Sequence, residues 1–184
     1  LALEWLRQCP YVVCCDGAAN TYIRSGRMPE AIVGDGDSLL PDIKERYASL
    51  IHSEAEQETN DLSKAFRFCL SQERRRITIM GATGKREDHT IGNVSLLADY
   101  MEQAEVSMMT DYGIFVPIRE DSMFESYIGQ QISVFNMNST ALSAEGLAYP
   151  LSVFTNWWQG TLNEALARHF IIRTEGKVLV FRVF

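Results

Sequence analysis

The stretch that decides the fold reads Val33-Gly34-Asp35-Gly36-Asp37-Ser38, and it places two carboxylates two residues apart in a glycine-flanked turn. It continues the apolar run Ala31-Ile32-Val33, which is typical of a buried strand. Glycine lets the backbone come close to a ligand, so Asp35 and Asp37 can converge on one point. Such carboxylate oxygens suit Mg²⁺, which is usually bound by one or two carboxylates together with substrate phosphates. Taken alone, the same pattern also suits a solvated turn.

Short apolar runs alternate with helical patterns through the first half of the chain. The predicted strands are 11–15, 31–33, 77–80 and 106–109, and the predicted helices are 16–25, 41–50, 61–70 and 88–103. This rhythm predicts an α/β N-terminal domain with a mainly parallel sheet. Ligands bind such sheets at the carboxyl ends of the strands. The polar and glycine clusters follow predicted strands, so we expect them at one edge of the sheet: 16–20, 34–38 and 81–89.

The pattern of apolar and turn residues changes after Tyr112-Gly113. From there, apolar runs alternate with turn residues: 114–118, 122–128, 131–136, 141–147, 151–155, 167–173 and 177–184. This spacing predicts an all-β C-terminal domain, a small β-sandwich. We therefore expect an α/β domain for nucleotide and metal over residues 1–111 and a sandwich over residues 112–184. Leu1 is not Met and lies within an amphipathic pattern, so we expect that further residues precede it.

The composition limits the partners. Asp and Glu number 24 against 17 Lys and Arg, so the net charge of −7 argues against a broad nucleic-acid surface. No apolar stretch reaches the ~18 residues that a membrane span needs. The cysteines show no C-x-x-C spacing, which favours reduced thiols in a cytosol: Cys9, Cys14, Cys15 and Cys69. We expect a cytoplasmic protein with no nucleic-acid or membrane partner.

A third carboxylate, Asp61, begins the predicted helix 61–70, which Asn60 or Thr59 can cap. Lys64 follows one turn later on the same helix face. This pattern suits a capped helix with an ion pair. It equally suits a third metal ligand beside a lysine that is available to a phosphate.

The segment Gly81-Ala82-Thr83-Gly84-Lys85-Arg86 follows a predicted strand and opens a helix, where free N–H groups favour an anion. It is not a Walker A motif, because that pattern needs glycine at Ile79 and Ser or Thr at Arg86. Lys85 and Arg86 nevertheless supply cations at the place where an anion would sit.

Four motifs in this order together resemble thiamine pyrophosphokinase: Asp16-Gly17-Ala18-Ala19-Asn20, Gly34-Asp35-Gly36-Asp37-Ser38, Thr59-Asn60-Asp61-Leu62-Ser63-Lys64, and Gly81 to Asn93 with Gly84-Lys85-Arg86 and Asp88-His89. The resemblance spans nearly the whole chain. It implies transfer of a pyrophosphoryl group from ATP to the hydroxyl of thiamine, which gives thiamine diphosphate and AMP. It also implies Mg²⁺ as cofactor, ATP and thiamine as partners, and a homodimer whose β-sandwich domain binds thiamine.

By position in these motifs, Asp35, Asp37 and Asp61 match the family's Mg²⁺-binding acidic residues. With Asp88 they are the candidate catalytic residues, and the general base stays open, an aspartate near the thiamine hydroxyl being the favoured type. The candidate substrate-binding residues of this half are Asp16, Asn20, Gln57, Lys64, Gly84, Lys85, Arg86, His89 and Asn93.

The C-terminal half contributes adjacent tryptophans, Trp157 and Trp158. One of them can pack in the core, or either can stack on thiamine, whose charged thiazolium suits an aromatic face. The family has a Gly-x-Ser-Asn-Glu stretch here that contributes to the thiamine pocket across the dimer. This chain has Leu162 in place of the serine, so Thr161 is the candidate replacement, and Asn163 agrees with the family.

Two other functions remain open at this point. The Leu162 departure would suit an ATP-dependent kinase of the same fold that acts on another small alcohol. A thiamine- or nucleotide-binding protein without turnover is less consistent with three converging carboxylates, which are costly to hold together without a cation.

Overall fold

The computed structural model describes residues 2–54, 56 and 58–184. Its helices are α1 Ala2–Gln8, α2 Ala18–Arg24, α3 Pro41–Arg46, α4 Asp61–Ser71, α5 Glu87–Ser95 and α6 Leu97–Tyr100, with 3₁₀ turns at Ala48–Leu50 and Trp157–Gly160. Its strands are β1 Val13–Cys15, β2 Ala31–Gly34, β3 Ile51–Ser53, β4 Arg76–Met80, β5 Glu105–Met109, β6 Gly113–Ile118, β7 Ser122–Glu125, β8 Gln131–Asn136, β9 Leu142–Glu145, β10 Asn163–Glu164, β11 His169–Thr174 and β12 Val178–Val183.

The first compact unit comprises residues 3–75 and contains a parallel sheet of order β1-β2-β3. The central strand β2 is buried along its whole length because apolar clusters cover both of its faces. Ile32 packs in a cluster with Ala19 of α2 and Ile43 of α3, whereas Val33 packs on the other face with Ala65 of α4. Helices on both faces thus fix where the carboxyl end of β2 emerges.

The second compact unit comprises residues 76–184 and contains two sheets, of order β10-β8-β12-β6-β5-β4 and β7-β11-β9. Only the pair β4 and β5 is parallel among these described strands. One apolar core draws buried residues from both sheets, among them Val134 of β8, Val180 of β12 and Phe170 of β11. The C-terminal half is therefore β-rich, as predicted.

Parallel pairing is confirmed for the N-terminal strands, but a single parallel sheet is not what forms. β4 and β5 pair with each other and then continue into the sheet of the C-terminal strands. The tight turn at Thr110 explains this, because its backbone N–H donates to the Gly113 carbonyl at 2.8 Å and returns the chain antiparallel as β6. The compact units consequently divide between Arg75 and Arg76. A boundary between separate modules at residues 111–113 stays a prediction.

Several local expectations were wrong. The predicted helix 88–103 is two helices, α5 and α6; the Ser95 hydroxyl donates to the Gly92 carbonyl at 2.7 Å near the break, a bond that competes with the helical backbone. Residues 151–155 form no strand and lead from Pro150 into the 3₁₀ turn at Trp157. The short strands β3 and β10 were not predicted, since each offers too few apolar residues for a period-2 signal.

None of the helices within residues 2–54, 56 and 58–184 combines the length and apolar character that crossing a membrane requires.

Candidate active site

The acidic turn lies directly after β2, as the sequence predicts. The backbone N–H of Asp37 donates to Asp35 Oδ1 at 3.0 Å, which closes a small loop across Gly36. Asp37 is exposed and Asp35 is half-buried. Both carboxylates therefore stand at the carboxyl end of the central parallel strand, where α/β sheets bind ligands.

Asp16, between β1 and α2, and Asn20 of α2 fasten this turn from the side of the neighbouring strand. Asp16 Oδ2 accepts the Ser38 N–H at 3.0 Å. Asn20 uses both amide atoms: Nδ2 donates to the Ser38 carbonyl at 2.8 Å, and Oδ1 accepts the Leu40 N–H at 3.0 Å. The structure thus brings the first two predicted clusters together, and it shows Asn20 bonded to the backbone of the acidic loop.

Asp16 is an unusual carboxylate. Only 4% of the residue is exposed, and its φ of 33° lies in the left-handed region that disfavours residues with a side chain. A Cβ on Gly34 would sit 2.7 Å from Asp16 Cβ, so the strand end and the loop approach each other as closely as glycine permits. Asp16 Oδ1 is buried and has no hydrogen-bond partner among the described residues. A buried oxygen left without a donor is costly unless a water or a ligand supplies one.

The start of α4 provides the third carboxylate and a buried cation. Asn60 caps the helix as predicted, since its Oδ1 accepts the Ser63 N–H at 2.9 Å. Lys64 is only 3% exposed, and its Nζ lies 3.4 Å from Asp61 Oδ1. An ammonium held away from water beside a carboxylate favours an additional anionic partner such as a phosphate.

The thiol of Cys15, the last residue of β1, is buried near negative charge. Burial, followed by the negative charge of Asp61 and more weakly by that of Asp16, raises its pKa to about 12. The charges of Asp61 and Asp16 therefore both act on the thiol at the carboxyl end of β1.

Sequence reasoning missed Lys44 of α3, which bonds the acidic turn. Its Nζ donates to the Gly36 carbonyl at 3.0 Å. The sequence does place Lys44 in the first turn of the helix that Pro41 begins. Exposed lysines are common in helices, so this position alone does not indicate a contact with the acidic turn.

The glycine segment of the second unit follows β4 and leads into α5. Gly84 has a φ of 86°, and Lys85 and Arg86 are exposed. Asn93 Nδ2 donates to the Ala82 carbonyl at 2.9 Å, so this candidate residue ties the loop to α5.

Arg86 and Asp88 form a two-bond ion pair in solvent. Arg86 Nη2 lies 2.6 Å from Asp88 Oδ2, and Nε lies 3.1 Å from Oδ1. The His89 backbone N–H also donates to Asp88 Oδ1 at 2.9 Å, while the His89 side chain is exposed. The hydrogen bond from the Arg86 guanidinium is the largest cause that lowers the pKa of Asp88.

The adjacent tryptophans form a 3₁₀ turn that an Asn156 and Gln159 capping box begins. Trp157 is 44% exposed and meets the ring of Phe135 edge-on, with centroids 6.0 Å apart, whereas Trp158 is 73% exposed. The more exposed ring is the one with a free face for a ligand.

The three residues after this turn differ in their hydrogen bonds and in their exposure to solvent. The Thr161 hydroxyl donates to the Trp158 carbonyl at 2.7 Å. Leu162 is 76% exposed with a φ of 63°. Asn163 is buried, and its amide bonds both the N–H and the carbonyl of Tyr149, at 3.0 and 2.8 Å. Asn163 therefore holds the backbone around β10.

Two protein-family models match this chain in sequence order. The model described as "Thiamin pyrophosphokinase, catalytic domain" matches residues 2–109, and the one described as "Thiamin pyrophosphokinase, substrate-binding domain" matches residues 113–181. The chain belongs to the thiamine pyrophosphokinase family. The resemblance read from the four motifs is thereby confirmed.

Curated members of this family are similar over part of their length. Thiamine pyrophosphokinase 1 of Oryza sativa subsp. japonica is 30% identical in an alignment of 129 residues that covers 56% of this chain and 49% of that protein. Thiamine pyrophosphokinase of Bacillus subtilis is 34% identical in an alignment of 86 residues that covers 45% of this chain and 40% of that protein. The chain thus spans about half the length or less of the curated relatives that it matches.

Solved structures of the family share the fold. The thiamine pyrophosphokinase of Bacillus subtilis superposes with a TM-score of 0.81 at 21% identity, covering 94% of this chain and 87% of that chain. The Geobacillus thermodenitrificans protein gives 0.81 at 22% identity and covers all of this chain and 91% of that one. An N-terminal part with a mainly parallel sheet and a β-rich C-terminal part are common to them.

The family's metal can be tested against the residues present. Within the part of the chain that the structure describes, no three His, Cys, Asp or Glu side chains stand close enough together to enclose an ion. Mg²⁺ does not require such a cage, since it usually keeps several waters and takes one or two carboxylates plus phosphate oxygens. The carboxylates of the acidic turn and the partnerless oxygen of Asp16 fit that mode of binding. Gln57, the family's site glutamine, lies outside the described residues.

Proposed function

We propose that this protein is a Mg²⁺-dependent thiamine pyrophosphokinase, which transfers the pyrophosphoryl group of ATP to thiamine and releases AMP. The observation that carries the proposal is the acidic turn, which is held in place by hydrogen bonds between the Ser38 backbone and the side chains of Asp16 and Asn20. Transfer of this kind depends on positioning and on neutralising phosphate charge, and a fixed pair of carboxylates serves both needs.

The reaction exchanges one phosphorus–oxygen bond for another. The hydroxyl oxygen of thiamine attacks the β-phosphorus of ATP, and the bond from that phosphorus to the oxygen of the α-phosphate breaks. AMP leaves with the electron pair, and the hydroxyl proton goes to a base or to solvent. No covalent intermediate on the protein is needed.

In this proposal Asp35 and Asp37 would hold Mg²⁺ together with phosphate oxygens, Asp61 stays the third candidate ligand, and the ion would neutralise charge on the transferring phosphates. The buried ammonium of Lys64 binds a phosphate oxygen, which would satisfy a cation kept from water. Lys85 and Arg86 are exposed and can bind phosphates once the Arg86–Asp88 ion pair rearranges. Asp88 remains a candidate catalytic residue. Gly84, His89 and Asn93 shape this loop as further substrate-binding candidates.

The thiamine ring is assigned to the tryptophan pair. Trp158 is the favoured platform because most of its surface is exposed, while Trp157 already packs on Phe135. Thr161 and Asn163 support this turn and β10 through bonds to main-chain atoms.

The proposal also includes a fold detail, an oligomeric state and a cellular compartment. The apolar core that draws on two sheets supports a β-sandwich in the C-terminal half. Large apolar side chains exposed around β10 support a homodimer, to be checked by light scattering: Tyr127, Ile128, Tyr149, Leu162 and Leu166. Free cysteines support a reducing compartment, the cytoplasm.

The direct test incubates the protein with ATP, Mg²⁺ and thiamine and measures AMP and thiamine diphosphate together. Equal amounts of both products are expected. Thiamine binding without AMP would show a binding protein instead.

A second function is favoured by Leu162, an exposed leucine in a left-handed conformation where the family has serine. A remodelled acceptor pocket would make the protein an ATP-dependent kinase for another small alcohol. AMP that forms only with an acceptor other than thiamine would select it.

A further inference from the structure

The peptide that joins the two carboxylate residues of the acidic turn is held by a lysine from outside the turn. Gly36 lies between Asp35 and Asp37, and its carbonyl accepts a hydrogen bond from Lys44 Nζ at 3.0 Å. A bond from an ammonium to a carbonyl is charge-assisted and so is stronger than a neutral one.

Gly36 and Lys44 fit each other. With a φ of 76° Gly36 is in the left-handed region, and a Cβ built there would lie 3.3 Å from Lys44 Nζ and 3.4 Å from its Cε. The lysine tip thus occupies the space beside the turn that a side chain would take.

The helix that carries Lys44 is itself anchored. Pro41 begins α3, and Ile43 is buried against the cluster that covers β2. The Leu40 N–H, at the helix start, is bonded by Asn20. The base of Lys44 is therefore fixed relative to the strand that precedes the turn.

The acidic turn is consequently held from two sides. Asp16 and Asn20 bind its far end at Ser38, and Lys44 binds its middle at Gly36. Asp16 also has a buried oxygen, Oδ1, that lacks a hydrogen-bond partner among the described residues.

We infer that Lys44 is a positioning residue that orients the Gly36 peptide so that Asp35 and Asp37 present their oxygens to one divalent cation. The inference rests on the proposed metal site and concerns how that site is built. Two effects of Lys44 on a cation oppose each other: its bond to Gly36 preorganises the ligands, whereas its positive charge repels the ion. Preorganisation prevails, because the charge is exposed and screened while the bond acts directly on the turn.

The test measures binding of Mn²⁺, a paramagnetic substitute for Mg²⁺, by electron paramagnetic resonance in the absence of ATP and thiamine. Lys44→Met should weaken Mn²⁺ binding about tenfold, the equivalent of losing one charge-assisted hydrogen bond. Lys44→Arg keeps a charged donor and should recover most of that loss. Arg46→Met removes the same charge from the same helix without touching the turn, and should leave the affinity unchanged.

Unchanged or tighter Mn²⁺ binding by Lys44→Met would overturn the inference, since it would mean that the bond is idle or that repulsion prevails. An equal loss of Mn²⁺ affinity in Arg46→Met would also overturn the inference, because it would show that any lost positive charge on this helix weakens binding. Wild-type protein that binds no Mn²⁺ without ATP would overturn the inference, since a preorganised pair of carboxylates would then hold no ion. If the wild type forms no thiamine diphosphate but its Mn²⁺ affinity still depends on Lys44, the inference stands and the proposed function falls.

Discussion

The acidic loop of the first unit and the glycine loop of the second unit are built in opposite ways. The acidic loop is clamped by side chains that come from other elements: Asp16, Asn20 and Lys44. In the glycine loop, Arg86 and Asp88 bind each other in solvent, and Asn93 Nδ2 donates to the Ala82 carbonyl of the same loop. The comparison suggests that the acidic loop is preorganised for a small ion, whereas the cationic loop is left free to adapt to a larger, flexible anion.

Removing a carboxylate from the clamped loop should have the largest effect. Asp37→Asn is expected to lower kcat/KM by about 10³-fold, because loss of a metal ligand costs several kcal/mol of transition-state stabilisation. The unfolding midpoint should not move, since Asp37 is exposed. Release of AMP gives the rate, and circular dichroism gives the fold. Asp42→Asn, an exposed carboxylate in the first turn of α3, is the matched control and should keep full activity.

The next largest effect is expected from replacing a glycine of each loop by alanine, which should destabilise the two loops to different extents. Gly34→Ala places Cβ 2.7 Å from Asp16 Cβ and should lower the free energy of unfolding by about 3 kcal/mol through overpacking. At Gly84, whose φ is 86°, no described heavy atom lies within 4 Å of the added carbon, so the expected loss is only the backbone cost of about 1 kcal/mol. Urea unfolding measures both. Equal losses would mean that the first loop is no more tightly packed than the second.

The tryptophan pair extends the comparison to the C-terminal half. Trp157→Ala should cost about 1 kcal/mol of stability through its contact with Phe135. Trp158→Ala should change stability by less than about 0.5 kcal/mol, since it is exposed. It should instead raise the KM for thiamine about fivefold, as expected for a cation–π contact at an exposed site. The opposite pattern would assign the stacking role to Trp157.

The smallest effect concerns the ion pair in the glycine loop. The Arg86 guanidinium lowers the pKa of Asp88, so any stability from the pair is present above the ordinary range for aspartate and is lost as the pH falls through the lowered value. Arg86→Gln should raise the pKa of Asp88 towards its ordinary value. The side-chain carboxyl carbon signal of Asp88, followed by NMR against pH, measures it. An unchanged titration would show that the pair does not persist in solution.

The acidic turn and its carboxylates could be predicted from sequence because each depends on local chemistry. An apolar run followed by glycine and aspartate indicates a strand exit, and Asn60 before Asp61 indicates a capped helix. Both features are present as predicted.

The features that could not be predicted from the sequence depend on contacts between distant segments. Lys44 bonds a carbonyl eight residues earlier, and a main-chain acceptor leaves no trace in the sequence. Asn163 matched the family motif, yet its amide is engaged by Tyr149, fourteen residues away. The sheet to which β4 and β5 belong was likewise decided by the turn at Thr110, since strand periodicity does not reveal the partner strand.

The most direct measurement of the central claim is a crystal structure with a non-hydrolysable ATP analogue and Mn²⁺, located by its anomalous scattering. We expect an ion bonded to carboxylate oxygens of Asp35 and Asp37 at about 2.1 Å, with phosphate oxygens completing its shell. An ion bound elsewhere, with these two side chains turned away from it, would contradict the account.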